Sequence, residues 1–503
     1  MVWGILQGLE KGMSHAGKLE VIQLIPILPK AIRKKRGVYA DISSFEMRIG
    51  KLGKAYGLLI LLAGVLAVYV YFLSYLGSDY SPYYGDEYFY YKNSEVFYLT
   101  NSLKASFTYS GNGARVFGAD AHGPAYPLIY GSIAKVLGWG RLTIPIVNGG
   151  ILIMALLVLV WNKETTRQTK YFQCLLVIGS PITLFYSITY LPELIQIAGA
   201  IGLYLLFQRY LLSISRRDFL ILVVYILILG SIRSTWFFAF FGLMVIPGPI
   251  KGFGKSIYLF LGLVLPFLYQ HFLHEQVPNT FSALGEVVEK KGFWAGMDGV
   301  IYNIKRNTYF AFTYTEGYFY TVQKVWIAGS LLFSIFLYRQ YKVAQFGIVI
   351  LVTLIIFNVI LYKNYSWVDL RMYTPMTLFL NLVMISSTES RVSTTVLISV
   401  NLLSFLLVIP LQLTLIHYRI KPDVRDVPAQ TVEEIKTFDS PLVSMDSVLL
   451  KNYSVTTLPI LTNESEPIRY ILQYYSMKMQ TPSHVLCEES NQLKVKPVKI
   501  LSQ

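Results

Sequence analysis

The chain has 503 residues, of which 54% are hydrophobic and only 15% charged, against about a quarter charged in a soluble protein. Too little polar surface is available to cover such a chain in water, so a soluble enzyme, a disordered scaffold and a secreted disulfide domain are excluded. Lys plus Arg outnumber Asp plus Glu by 44 to 29, a net +15; in a soluble protein that excess would suggest nucleic acid, but here it must first be placed relative to a membrane.

The apolar residues gather in runs such as 56-YGLLILLAGVLAVYVYFLSYL-76, and about 20 apolar residues span a bilayer as a helix. The sequence predicts an all-α polytopic membrane protein with about eleven transmembrane helices: 55–76, 142–161, 171–189, 192–212, 219–233, 235–249, 256–273, 324–338, 343–362, 372–387 and 393–414. Three regions result: a basic N-terminal segment 1–54, a transmembrane domain 55–415, and a small extracytoplasmic α/β domain 416–503, polar and carrying Pro422 and Pro428. The first region is too charged, and too broken by Pro26 and Pro29, for a cleavable signal peptide. Cys174 and Cys487 are not expected to meet, so no disulfide is predicted.

Positive charge orients the spans. Lys30, Arg33, Lys34, Lys35, Arg36, Arg48, Lys51 and Lys54 place the N-terminus in the cytoplasm, and every second connection is short and basic, as in Lys163/Arg167/Lys170 and Arg209/Arg216/Arg217. Much of the +15 is therefore topological, and no nucleic-acid partner is predicted. The opposite connections include two long outer loops, 77–141 and 274–323. The first predicts two helices at the outer interface, 87–107 and 124–138; the second is dense in tyrosine, 308-TYFAFTYTEGYFYT-321, which favours the headgroup level.

Span interiors carry almost no ionisable residues, which argues against an ion-coupled transporter. The exceptions sit at ends: Glu193, Arg209, Arg233, Lys324 and Arg371. All but Arg209 fall at the outer face, which suggests a site at the lipid–water boundary. The adjacent carboxylates Asp86 and Glu87, in 85-GDEYFYY-91, could supply a general base. They equally suit a helix N-cap and first turn. In 120-DAHGPAYPLIYG-131, His122 could bond a substrate, or simply be a solvated residue where loop meets helix. Glu193 could face the same cavity or serve as an N-terminal helix charge. Arg233, Lys363 and Arg371 are cations at outer span ends; they could hold phosphate or snorkel to headgroups. Basic residues are disfavoured on that side, so they need more explanation.

Together these motifs resemble the GT-C glycosyltransferases, closest to the branch with protein O-mannosyltransferases and aminoarabinose transferases. The family's Asp-Glu of the first outer loop corresponds to Asp86-Glu87, and its His-Pro-Pro-x-Tyr to His122-Gly-Pro124-Ala-Tyr126. Its second acidic position falls on Glu193, and its late Arg-Tyr on Arg371 and Tyr373. The pattern departs at Gly123, which replaces the first proline, at Glu193, where Asp is frequent, and at Met372, which separates Arg371 from Tyr373. The resemblance covers about residues 55–415.

The resemblance implies inverting transfer from a polyprenyl-phosphate-linked sugar donor to a hydroxyl of a glycan, lipid or protein acceptor, on the outer face of the plasma (inner) membrane. Asp86 would be the base, and Arg371 and Arg233, with Lys363, would hold the phosphate. Glu87 and Glu193 would orient the sugar, the acceptor or a divalent cation; no metal is firmly predicted. The alternatives are a flippase or transporter of lipid-linked sugars and a polymerase or ligase of surface polysaccharide. The first would need a polar path through the spans, which the sequence does not show. The second usually relies on a large outer loop late in the chain, whereas here the acidic loop is the first.

Overall fold

The computed structural model describes residues 60–77, 80, 82, 85–101, 103, 123–250, 252–273, 287–288, 290–313, 318–339, 341–361, 367–387, 391–420, 425–437, 442–444, 453–454, 460–462, 484–490 and 492–497. By internal contacts the chain divides into Met1–Leu66 and Ala67–Gln503. Residues 60–66 of the first unit are helical and apolar, part of the helix Ile60–Leu73 (α1).

The second unit is mostly helical. After α1 come α2 (Gly85–Thr100), α3 (Ala125–Leu137), α4 (Thr143–Trp161), α5 (Arg167–Ile178), α6 (Pro181–Tyr186), α7 (Glu193–Ser213), α8 (Arg216–Ile232), α9 (Ala239–Leu243), α10 (Ser256–Leu273), α11 (Phe293–Phe312), α12 (Tyr318–Phe333), α13 (Lys342–Leu361), α14 (Thr374–Ser387) and α15 (Arg391–Arg419). Five helices among the described residues are long and apolar enough to cross a membrane: Thr143–Trp161, Glu193–Ser213, Gly252–Tyr269, Lys342–Leu361 and Ser393–His417. On that ground the chain reads as a membrane protein.

Several expected elements differ. The stretch 171–189 is split between α5 and α6, because Ser180 caps a new helix, its Oγ accepting from the Ile182 N–H, and Pro181 supplies the first helical residue. The orphan carbonyls at the end of α6 are met from afar: Gln412 of α15 donates to Leu184 O and Phe185 O, each at 3.2 Å. Asn401 does the same for Leu176 O at 2.9 Å. The stretch 235–249 forms only a 3-10 turn, Ser234–Phe238, and the short α9, and it ends before Pro247-Gly248. The last helix runs on to Arg419, beyond the expected 414. In the first long loop, α2 stops at Thr100 rather than 107, where Asn101 turns left-handed (φ 58°).

The tyrosine-rich loop contains an unexpected helix, α11. Its inward face is polar: Asn303 donates to Ile360 O at 3.1 Å, and Asn307 to Asn358 O and Val359 O at 3.3 and 3.1 Å. These amides satisfy the terminal carbonyls of α13, and a polar inner stripe hid the helix from a search for apolar faces. Lys324 is accounted for as well, since its Nζ donates to Thr313 O at 2.9 Å and sits 4.0 Å from the Phe310 ring centroid.

Beyond Arg419 the described residues form a small mixed α/β segment. Strands β1 (Arg425–Asp426) and β3 (Tyr453–Ser454) pair in parallel, and α16 spans Ala429–Lys436. A four-stranded sheet has the order β4 (Ile460–Thr462), β2 (Leu442–Ser444), β5 (His484–Glu489), β6 (Gln492–Pro497), parallel except for the β5–β6 hairpin.

Candidate functional site

Four segments deliver charge to one place. Asp86 stands in the first turn of α2. Glu193 opens α7, directly after Pro192, and is fully buried. Arg233 closes α8 in an extended conformation (φ −148°, ψ 117°), where a cation also complements the helix dipole. Arg371 lies in the 3-10 turn Trp367–Tyr373 that leads into α14.

Arg371 Nη2 forms a close ion pair with Asp86 Oδ2, and its Nε lies 3.5 Å from Glu193 Oε1. Arg233 Nη1 donates to the same Glu193 oxygen at 3.3 Å. The order is Asp86, Arg371, Glu193, Arg233, alternating in sign, with two acids and two bases. Side-chain exposures are 18% for Asp86, 8% for Arg371, 0% for Glu193 and 17% for Arg233. Ions this far from water cost several kcal/mol each unless paired, so the pairing is a condition of the placement.

Burial works to lower the Arg371 pKa, but the Asp86 and Glu193 carboxylates, helped by Tyr90, together hold it well above its ordinary value. Its charge is therefore fixed. Among the described residues, Arg371 Nε and Nη1 and Glu193 Oε2 are buried atoms without a hydrogen bond. Nearly all buried polar atoms have a partner, so the network has spare donor capacity on Arg371 and a spare acceptor on Glu193.

Tyr126 approaches from α3. Its hydroxyl accepts from Gln196 Nε2 at 2.8 Å, and Gln196 Oε1 in turn accepts from the Trp236 indole N–H. Its ring meets Tyr90 edge-on at 5.0 Å. Burial raises the Tyr126 hydroxyl pKa, with Arg233 pulling the other way, so it stays a neutral donor. Beside this chain of bonds lies a narrow cleft with a cavity volume of about 10 Å³, room for about one water. Gln196, Arg233, Thr235 and Trp236 form its polar side, and Ile350, Leu354, Met372 and Met376 its apolar side. Met372, the residue that separates Arg371 from Tyr373, thus lines the cleft. Tyr373 is buried at the end of the turn, its carbonyl accepting from Thr377.

Glu87 is not part of this network. Its carboxylate is fully buried and gripped by both Nη atoms of Arg419, at 2.7 and 2.8 Å, with the Tyr190 N–H at 3.0 Å. Asp86 and Glu87 are thus each bound to an arginine beyond serving as first-turn helix charges. His122 and Lys363 lie outside the described residues. Gly123, just after His122, has φ +74°, a value closed to proline, which accounts for glycine at that position. Among the described residues, no group of three or more His, Cys, Asp or Glu side chains could hold a metal ion.

Sequence reasoning missed Arg419, Gln196 and Tyr190. Arg419 carries the same signal as Arg233 and Arg371, a cation at the end of an apolar run, but the run expected from the sequence stops at 414, five residues short of it. Compared with known proteins, the chain matches no family model, no curated protein and no solved structure.

Proposed function

We propose that the chain is an integral membrane glycosyltransferase of the GT-C kind, which moves a sugar from a polyprenyl-phosphate carrier to an acceptor hydroxyl with inversion. One observation carries this reading: Asp86, Glu193, Arg233 and Arg371, from four separate segments, share one buried network beside a cleft with a cationic polar side and an apolar side. A cation beside apolar side chains suits an amphipathic anion, and the narrow cleft must widen to admit one. In this reading the long apolar helices cross the inner membrane, the N-terminus is cytoplasmic, and the network and the C-terminal α/β segment lie outside.

The carrier phosphate takes Arg371 Nη1 and Arg233, and by competing for Arg371 it releases Asp86. The acceptor oxygen attacks the anomeric carbon while the bond from that carbon to the phosphate oxygen breaks. The bonding pair leaves with the lipid phosphate, and the acceptor proton passes to the Asp86 carboxylate. Arginines at the leaving group stabilise charge that grows in the transition state. Glu193 Oε2 accepts from a sugar hydroxyl. Glu87, spent on Arg419, is not assigned to the sugar or to a cation.

The test is sugar transfer by the purified chain in vesicles containing a polyprenyl-phosphate hexose and candidate acceptors. Asp86→Asn should lower the rate by ~10²–10⁴ while the protein stays folded. Full activity in that variant contradicts the base assignment, and carrier translocation without transfer would favour a transporter.

A further inference from the structure

Glu87 comes directly after Asp86 in the first turn of α2, and its partner Arg419 is the last residue of the 29-residue α15. Both are at least 99% buried, and the contact is a two-pronged fork across 332 positions of sequence. The surroundings tighten it. The Arg419 guanidinium lies 5.7 Å from the Tyr80 ring centroid, and Tyr80 pairs through its backbone with Ile420. The Tyr80 hydroxyl donates to Ile188 O, and the Tyr190 hydroxyl donates to Tyr80 O at 3.2 Å. The start of α2, residues 188–190 and the end of α15 thus meet on this one ion pair.

We propose that the Glu87–Arg419 fork is a positioning device that sets the rotation of α2 so that Asp86 meets Arg371. Consecutive helical side chains diverge by a fixed angle, about 100° at 3.6 residues per turn. Holding Glu87 therefore fixes the direction in which the Asp86 side chain leaves the helix, and only its own side-chain torsions then move its carboxylate. Stability alone is a poor reason for such a pair, since a buried ion pair can often be exchanged for apolar groups at little loss. A lysine at 419 would keep the charge but not the fork. Arg419 touches no reacting atom in the proposed transfer; it acts through Glu87. The importance of aiming Asp86 rests on the transferase reading, whereas the geometric coupling does not.

The experiment is a thermodynamic cycle on the full chain in detergent. The non-additivity of Tm between Asp86→Asn and Arg371→Met is measured with the native fork and again with Glu87→Gln plus Arg419→Met. The expected result is clear coupling in the first background and its loss in the second. Equal coupling in both overturns the proposal and leaves the fork a purely structural tie. If the doubly substituted background does not fold, Arg419→Lys carries the test: reduced coupling supports the proposal and unchanged coupling overturns it. The cycle needs no enzymatic activity, so a chain that transfers no sugar would sink the function while still answering this question. Where transfer is measured, loss of the fork should lower kcat on the order of 10²-fold, as for a misplaced catalytic group, with the donor KM unchanged.

Discussion

Asp86 and Arg371 stand 285 positions apart in the chain and close on each other in an ion pair, with Glu193 on the far side of the same guanidinium. One residue opens a helix that comes after the first apolar run; the other sits in a single 3-10 turn that comes after α13. Bringing them together requires α2, α7 and α14 to begin at a common place.

The pair should behave as a buried one. Arg371→Met removes the guanidinium that Asp86 and Glu193 share, and should cost about 3–5 kcal/mol, the usual loss on removing one partner of a buried pair. Adding Asp86→Asn should recover a large part of it, because Glu193 keeps Arg233 and one fewer buried carboxylate has lost the Arg371 charge. Chemical unfolding in detergent measures both; equal losses in the single and double variants would show that the two residues are not energetically linked.

The network should be insensitive to alkali. The folded-state pKa of Arg371 is raised, so the stability it contributes is fully present below the unfolded arginine value and is lost only as pH rises through the higher folded one. Both lie far above the physiological range. The Tm difference between the wild-type protein and Arg371→Met should therefore stay constant from about pH 7 to about pH 10. A difference that shrinks over that window would mean that another titrating group governs the pairing.

Gly123 should resist replacement. At φ +74° a proline, fixed near −65°, must rebuild the entry to α3, and alanine carries a left-handed cost of about 1–2 kcal/mol. Gly123→Pro should lower Tm more than Gly123→Ala, and both should loosen Tyr126 from Gln196. A Gly123→Pro protein as stable as the wild type would contradict the backbone assignment.

Much of this arrangement could be read from the residues. Long apolar runs became helices, α2 and α3 lie where the first loop suggested them, and charges spared from the span interiors met at one site. What could not be read depends on distant partners or on polar inner faces. Glu87 looked like a second catalytic carboxylate, because nothing near position 87 announces Arg419. Helix α11 was hidden because Asn303 and Asn307, rather than apolar residues, face its neighbour. The break at Ser180-Pro181 was visible as a cap followed by a first-turn proline, but the continuous apolar composition around it outweighed that local signal.

A cryo-microscopy structure of the protein with a polyprenyl phosphate bound would decide whether the charged network is a carrier site. The phosphate is expected within hydrogen-bonding reach of Arg371 and Arg233, its chain along Ile350, Leu354 and Met376, and Asp86 turned away from Arg371. A phosphate bound elsewhere, with the Asp86–Arg371–Glu193–Arg233 network unchanged, would refute that assignment.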